Sequence, residues 1–167
     1  MKKISISFLV LFFAIVTAFG QKEKFEAIYI YNFTKKIEWP KEASTGDFII
    51  GVLGEAGVTP NLEKMAATRK VGTRKIVVKK FSNASEVSTC HILFVSPDQC
   101  SNLGSVQNQL VGNNTLFITD KKGMAKSGAG INFLMKDGKL KFELNKKNVT
   151  KNGLKVSADL EKLAIVV

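Results

Sequence analysis

The chain has 167 residues, 45% of them hydrophobic, and carries 25 Lys and Arg against 14 Asp and Glu, a formal charge of +11. One His and two Cys exclude a His-rich or Cys-rich metal cluster. The Lys pairs at 35–36, 79–80, 121–122 and 146–147 are spread along the chain, which reads as a solvated basic surface rather than a nucleic-acid groove.

The N-terminus has the pattern of a secretory leader. Lys2-Lys3 forms a positive region, Ile4 to Phe19 is nearly all apolar, and Ala18-Phe19-Gly20 supplies small residues before Gln21. Cleavage after Gly20 is expected. The apolar run is shorter than the ~20 residues a spanning helix prefers, which weighs against the other reading, an uncleaved anchor. Residues 21–167 then form one domain with no integral membrane segment. Without Lys2 and Lys3, 23 bases face 14 acids.

Residues 23–38 predict an amphipathic helix with Phe25, Ile28, Tyr29, Phe33 and Ile37 on one face. Asn32 falls on that face, where a buried amide must be hydrogen-bonded, either to pin a loop or to mark a site. Trp39-Pro40 ends the helix. Asp47–Gly54 predicts a buried strand, followed by a Gly54–Gly57 turn. Its GxxGxxG spacing lacks the GxGxxG of a dinucleotide site. A helix over 61–70 and a strand over 74–81 follow.

Cys90–Ser96 is apolar at five of seven positions and stops at Pro97-Asp98. It predicts a strand buried on both faces, at the centre of a mostly parallel sheet. A buried helix is the rival reading, against which the length argues. His91 lies inside it and reads as a packed residue rather than a ligand. A helix over 99–111, with Leu103, Val106, Leu110 and Val111 inward, precedes a strand over 114–119. Asp120 is then expected to cap a short helix ended by Gly128. Strands at 130–135 and 140–144 flank Lys136-Asp137-Gly138-Lys139, a type I′ hairpin signal, and belong at one edge of the sheet. Asn145 caps the next helix, which closes with Gly153 and Leu154 in a Schellman pattern against Val149. Ser157 starts the last helix, carrying Leu160, Leu163 and Ala164. The rhythm predicts an α/β fold, a three-layer Rossmann-like sandwich with an antiparallel edge hairpin.

Catalysis finds little support: there is no GxSxG or P-loop, and the acids are scattered. No cofactor or metal is expected. Open α/β sheets bind ligands beyond the strand C-termini, so a small-ligand pocket there would be lined by Gly54, Glu55, Ser96, Thr119 and Asp120. Cys90 and Cys100 sit at opposite ends of a strand about 20 Å long, too far apart for a disulfide. Both are expected to be unpaired, Cys90 buried and inert. Cys100, in a first helical turn, is expected to be more exposed with a dipole-favoured thiolate, and a Cys100–Cys100 bridge between subunits is the alternative to a free thiol.

Ala27–Lys35 with Glu38-Trp39-Pro40, Ile50–Gly54, Cys90–Ser96, Ile131-Asn132-Phe133 with Lys141–Asn145, and Gly153–Ser157 through Leu163-Ala164 resemble, in order, the YfiR-like periplasmic proteins. The resemblance implies a bacterial periplasmic, Rossmann-like, often dimeric protein. It also implies a regulator that restrains a membrane-bound signalling protein, such as a diguanylate cyclase or sensor kinase, by binding its extracytoplasmic part. Tyr29, Asn32, Trp39, Glu143 and Asn145, within the matching blocks, are the candidate partner contacts. Relatives often pair a Cys at the position of Cys90 with one in the first strand, and Phe48–Gly51 here has none.

Overall fold

The computed structural model describes the backbone of residues 4–167 and the side chains of residues 20–167. The leader assignment, which rests on the side chains of residues 1–19, therefore lies outside the described residues. Among the described residues no helix is long and apolar enough to cross a membrane.

The chain order is α1 (Ile4–Lys36), β1 (Ile37–Glu38), β2 (Phe48–Leu53), α2 (Thr59–Thr68), β3 (Lys70–Val71), β4 (Arg74–Phe81), β5 (Ile92–Val95), α3 (Leu103–Gln109), β6 (Leu116–Thr119), β7 (Ile131–Lys136), β8 (Lys139–Leu144), α4 (Lys146–Lys151), β9 (Lys155–Val156), α5 (Ala158–Leu163) and β10 (Ile165–Val166). Eight strands form one sheet in the order β10-β8-β7-β6-β5-β2-β4-β3. Strands β4, β2, β5, β6 and β7 run parallel, and β8 and β3 are antiparallel to their hairpin partners.

The expected central strand is β5, between β2 and β6, with all four residues buried. Its alternation divides the interior. Ile92 and Phe94 join Phe48, Ile50, Leu116 and Ile118 in a core under α1, α2 and α5. Leu93 and Val95 join Phe117, Leu103, Val106 and Leu110 in a second core under α3. Helices cover both faces of the sheet, which is why its central strands β2, β5 and β6 are apolar almost throughout.

Turn chemistry behaves as the residues dictate. Asp137 and Gly138 take φ of 52° and 70°, as a type I′ hairpin needs. Asn145 and Ser157 accept from the backbone N–H groups of Asn148 and Leu160. Gly153 N–H donates to Thr150 O and Leu154 N–H to Val149 O, the Schellman pair.

Several expectations need correction. The buried face of α1 is Glu26, Ala27, Ile30, Phe33 and Thr34, while Phe25, Ile28 and Asn32 are exposed. The helix packs on the sheet with a face turned from the one its largest residues define. Val111 and Leu163, placed inward by periodicity, lie in exposed terminal turns. No helix follows Asp120; residues 121–128 form consecutive turns around Gly123, whose φ is 88°. The edge hairpin is not quite the edge, because β10 pairs parallel with β8 at Glu143 and Leu144. Strands β1, β3, β9 and β10 are two residues each, too short to leave a period in the sequence. The β1–β9 pair joins the end of α1 to the start of α5.

Candidate functional site

The strand C-termini, where a ligand pocket was expected, are crossed by the start of the globular part of α1. A Cβ at Gly57, after β2, would overlap the Glu23 carboxylate, and the Lys22 ammonium pairs with Asp120, just past β6, and with Glu26 at 3.3 Å. Glu26 is 2% exposed. Burial raises its pKa to about 7, opposed by Lys22 and reinforced by the negative charges of Asp120 and Glu23.

The five expected pocket residues do not line a common cavity. Ser96 is fully buried and donates to Asp98 Oδ1 at 2.5 Å. Gly54, at φ 82°, leaves no room for a Cβ beside the Ser96 hydroxyl. Glu55 is exposed. Thr119 is fully buried and donates to Asn132 Oδ1 at 2.7 Å. Of the five, Asp120 borders a cavity that Asn132, Met135 and Glu143 also line. The expected pocket is thus corrected: turn closure consumes the polar groups, and α1 occupies the crevice.

The candidate partner contacts are equally dispersed. Tyr29 packs edge-on to Phe142, 5.5 Å between centroids, and against Phe33 and Phe133. Asn32 is exposed, so the buried, bonded amide expected there is corrected; Asn132 fills that role instead. Asn132 accepts from Thr119 and from the Lys121 N–H, and donates to Glu143 Oε2 at 2.9 Å, tying β6, β7 and β8 together. Its one signal in the sequence was a polar residue inside an apolar strand. Asn145 is engaged as a cap and as a donor to Ala125 O. Trp39 meets the Phe48 ring edge-on at 5.2 Å, and its indole N–H is buried with no acceptor among the described residues.

His91 is a packed residue. Its Nδ1 accepts from the Ile49 N–H, and its Nε2 lies 2.9 Å from Ala43 O and 2.8 Å from the Arg74 guanidinium. Burial lowers its pKa, and Arg74 adds to that against the two backbone contacts. The Arg74 guanidinium donates to the carbonyls of Ala43, Thr45, Gly46 and Asp47, clamping the loop before β2.

Both cysteines are free and buried. Cys90 is pushed to about 12 by burial. The exposed, activated Cys100 is a correction. It opens a 3-10 turn with its sulfur 3.4 Å from Ser96 O, and burial raises its pKa. The β2 residue beside Cys90 is Gly51, where a Cβ would stand 3.3 Å from the sulfur.

Among the described residues no group of three or more His, Cys, Asp or Glu is placed to hold a metal. An apolar concavity of about 530 Å³ lies between α1 and the β7–β8 hairpin. Phe25 and Met135, 44% and 53% exposed, are its outermost apolar residues.

No curated protein matches the chain. The YfiR/HmsC-like family matches residues 23–165, from within α1 to the start of β10. That family is known as a periplasmic regulatory family. With a match spanning both cores, the hairpin and both chain ends of the sheet, this chain belongs to the YfiR/HmsC-like family.

Proposed function

We propose that the chain is exported with loss of residues 1–20 and acts in the periplasm as a non-catalytic regulator. It binds the extracytoplasmic part of a membrane signalling protein, a diguanylate cyclase or a sensor kinase, and restrains its activity. The observation that carries this reading is the family match over residues 23–165. The internal commitment of the polar groups at the strand ends supports it further. Ser96, Thr119, Asn132 and Glu143 bond to their own chain, and Lys22 with Asp120 closes the crevice. What is left for recognition is the outer surface.

The test uses the exported chain as purified from its own cells. N-terminal sequencing is expected to begin at Gln21. Immobilised on solubilised membranes, the chain is expected to retain a signalling protein whose cyclase or kinase output falls on adding it back. Recovery of no membrane protein above a charge-matched control, or an unchanged output, would sink the reading.

A further inference from the structure

The β7–β8 hairpin carries two features that its own fold leaves unmatched. The first is a free edge. β10 covers β8 only at Glu143 and Leu144, so among the described residues the outer edge from Lys139 to Lys141 has no strand partner. In a two-residue hairpin the residues flanking the turn exchange hydrogen bonds, and the pattern alternates from there. With Lys136 opposite Lys139, the backbone N–H and C=O of Leu140 point outward.

The second is charge. Lys136 lies directly across from Lys139, and Lys141 sits on the same face two residues on. Like charges directly opposite destabilise a ladder. Among the described residues none of the three has an ion pair, because the pairs present involve other lysines. On the opposite face, Leu140 and Met135 pair across the strands and border the apolar concavity with Phe25 and Tyr29. Lys139 and Lys141, at the strand edge, also border that concavity with Lys22, and no acid lines it.

The geometry points to strand addition. An extended segment of the membrane protein, with acidic and apolar side chains alternating, adds to the outer edge of β8. Its backbone bonds to Leu140, its apolar side chains enter the groove beside Phe25 and Met135, and its acids oppose Lys139 and Lys141. Period-two alternation matches the two faces that one strand presents. A second copy of this chain is disfavoured as the occupant, because edge-to-edge pairing would set Lys139 and Lys141 against the same lysines. This inference rests on the regulator reading and names the partner chemistry for it.

The probe is a synthetic nine-residue peptide alternating Glu and Val, titrated into the exported chain and followed by amide NMR. Three controls accompany it: the Lys-for-Glu peptide, a scrambled peptide of the same composition, and one N-methylated along one backbone edge. The expected result is perturbation confined to residues 21–29 and 135–142, and at least about tenfold preference for the acidic alternating peptide, about 1.4 kcal/mol. N-methylation is expected to abolish binding, and the Lys139→Glu, Lys141→Glu double variant to reverse the charge preference. Equal binding of the scrambled or N-methylated peptide overturns strand addition. So does perturbation that appears only with anionic phosphatidylglycerol vesicles, or only as concentration-dependent self-association. In membrane capture, a double variant that retains the partner as well as the wild type overturns this surface but leaves the regulator reading standing. Failure of the wild type itself to capture overturns both.

Discussion

Glu26 makes stability fall as pH rises. A carboxyl group whose pKa is raised in the folded state contributes stability that is fully present below its unfolded pKa and is lost as pH climbs through its folded pKa. For Glu26 the window runs from 4.5 to about 7. At 1.36 kcal/mol per pH unit, ionising it in place costs about 3 kcal/mol by pH 8. Glu26→Gln removes that cost while Lys22 keeps Asp120. The variant is therefore expected to lie within about 1 kcal/mol of the wild type near pH 5 and to exceed it by up to about 3 kcal/mol at pH 8. With a urea slope of about 1–3 kcal/mol/M, the midpoint moves by on the order of 1–3 M. His91 acts oppositely: its lowered pKa gives stability that is present above 6.5 and lost as pH falls through its folded value. The raw pH curve of either protein mixes the two groups. Their difference isolates Glu26, because His91 is common to both. Equilibrium urea unfolding from pH 5 to 8 measures it, and a midpoint difference that stays constant across that range refutes the reasoning.

Phe142→Ala deletes the ring that Tyr29 and Phe33 meet edge-on at 5.5 and 5.1 Å, and should cost about 3–5 kcal/mol in urea unfolding. Trp39→Phe keeps the packing on Phe48 and removes a buried donor with no acceptor among the described residues. It should leave stability unchanged or raise it by up to ~1 kcal/mol, and a clear loss would mean the indole N–H has a partner. Arg74→Ala frees four carbonyls of the 43–47 loop. Limited proteolysis should then nick that loop well before the rest of the chain. A thiol reagent should modify Cys90 and Cys100 at least about a hundredfold more slowly in the native chain than in urea, since both are buried; fast native labelling of Cys100 would contradict its burial.

The sequence by itself determined the layer architecture, the place of β5 at the centre, and the hairpin. Cys90–Ser96 and Asp47–Gly54 are apolar without alternation, which only a doubly covered strand tolerates, and Asp137-Gly138 specifies a turn on its own. The caps at Asn145, Gly153 and Ser157 were legible for the same reason: each is a local bond within a few residues. Tertiary structure decided which face of α1 is buried, because that depends on how the helix lies across the sheet rather than on its largest side chains. Glu26 went inward and Phe25, Ile28 and Asn32 outward. It decided the four two-residue strands, whose pairing comes from neighbours distant in sequence. It also decided the fate of the strand ends, where a pocket read from Gly54, Ser96 and Thr119 is instead a closed set of hydrogen bonds under Lys22 and Glu26. The partners of a polar side chain lie across the sheet, up to 98 residues away for Lys22 and Asp120, and no local pattern encodes them.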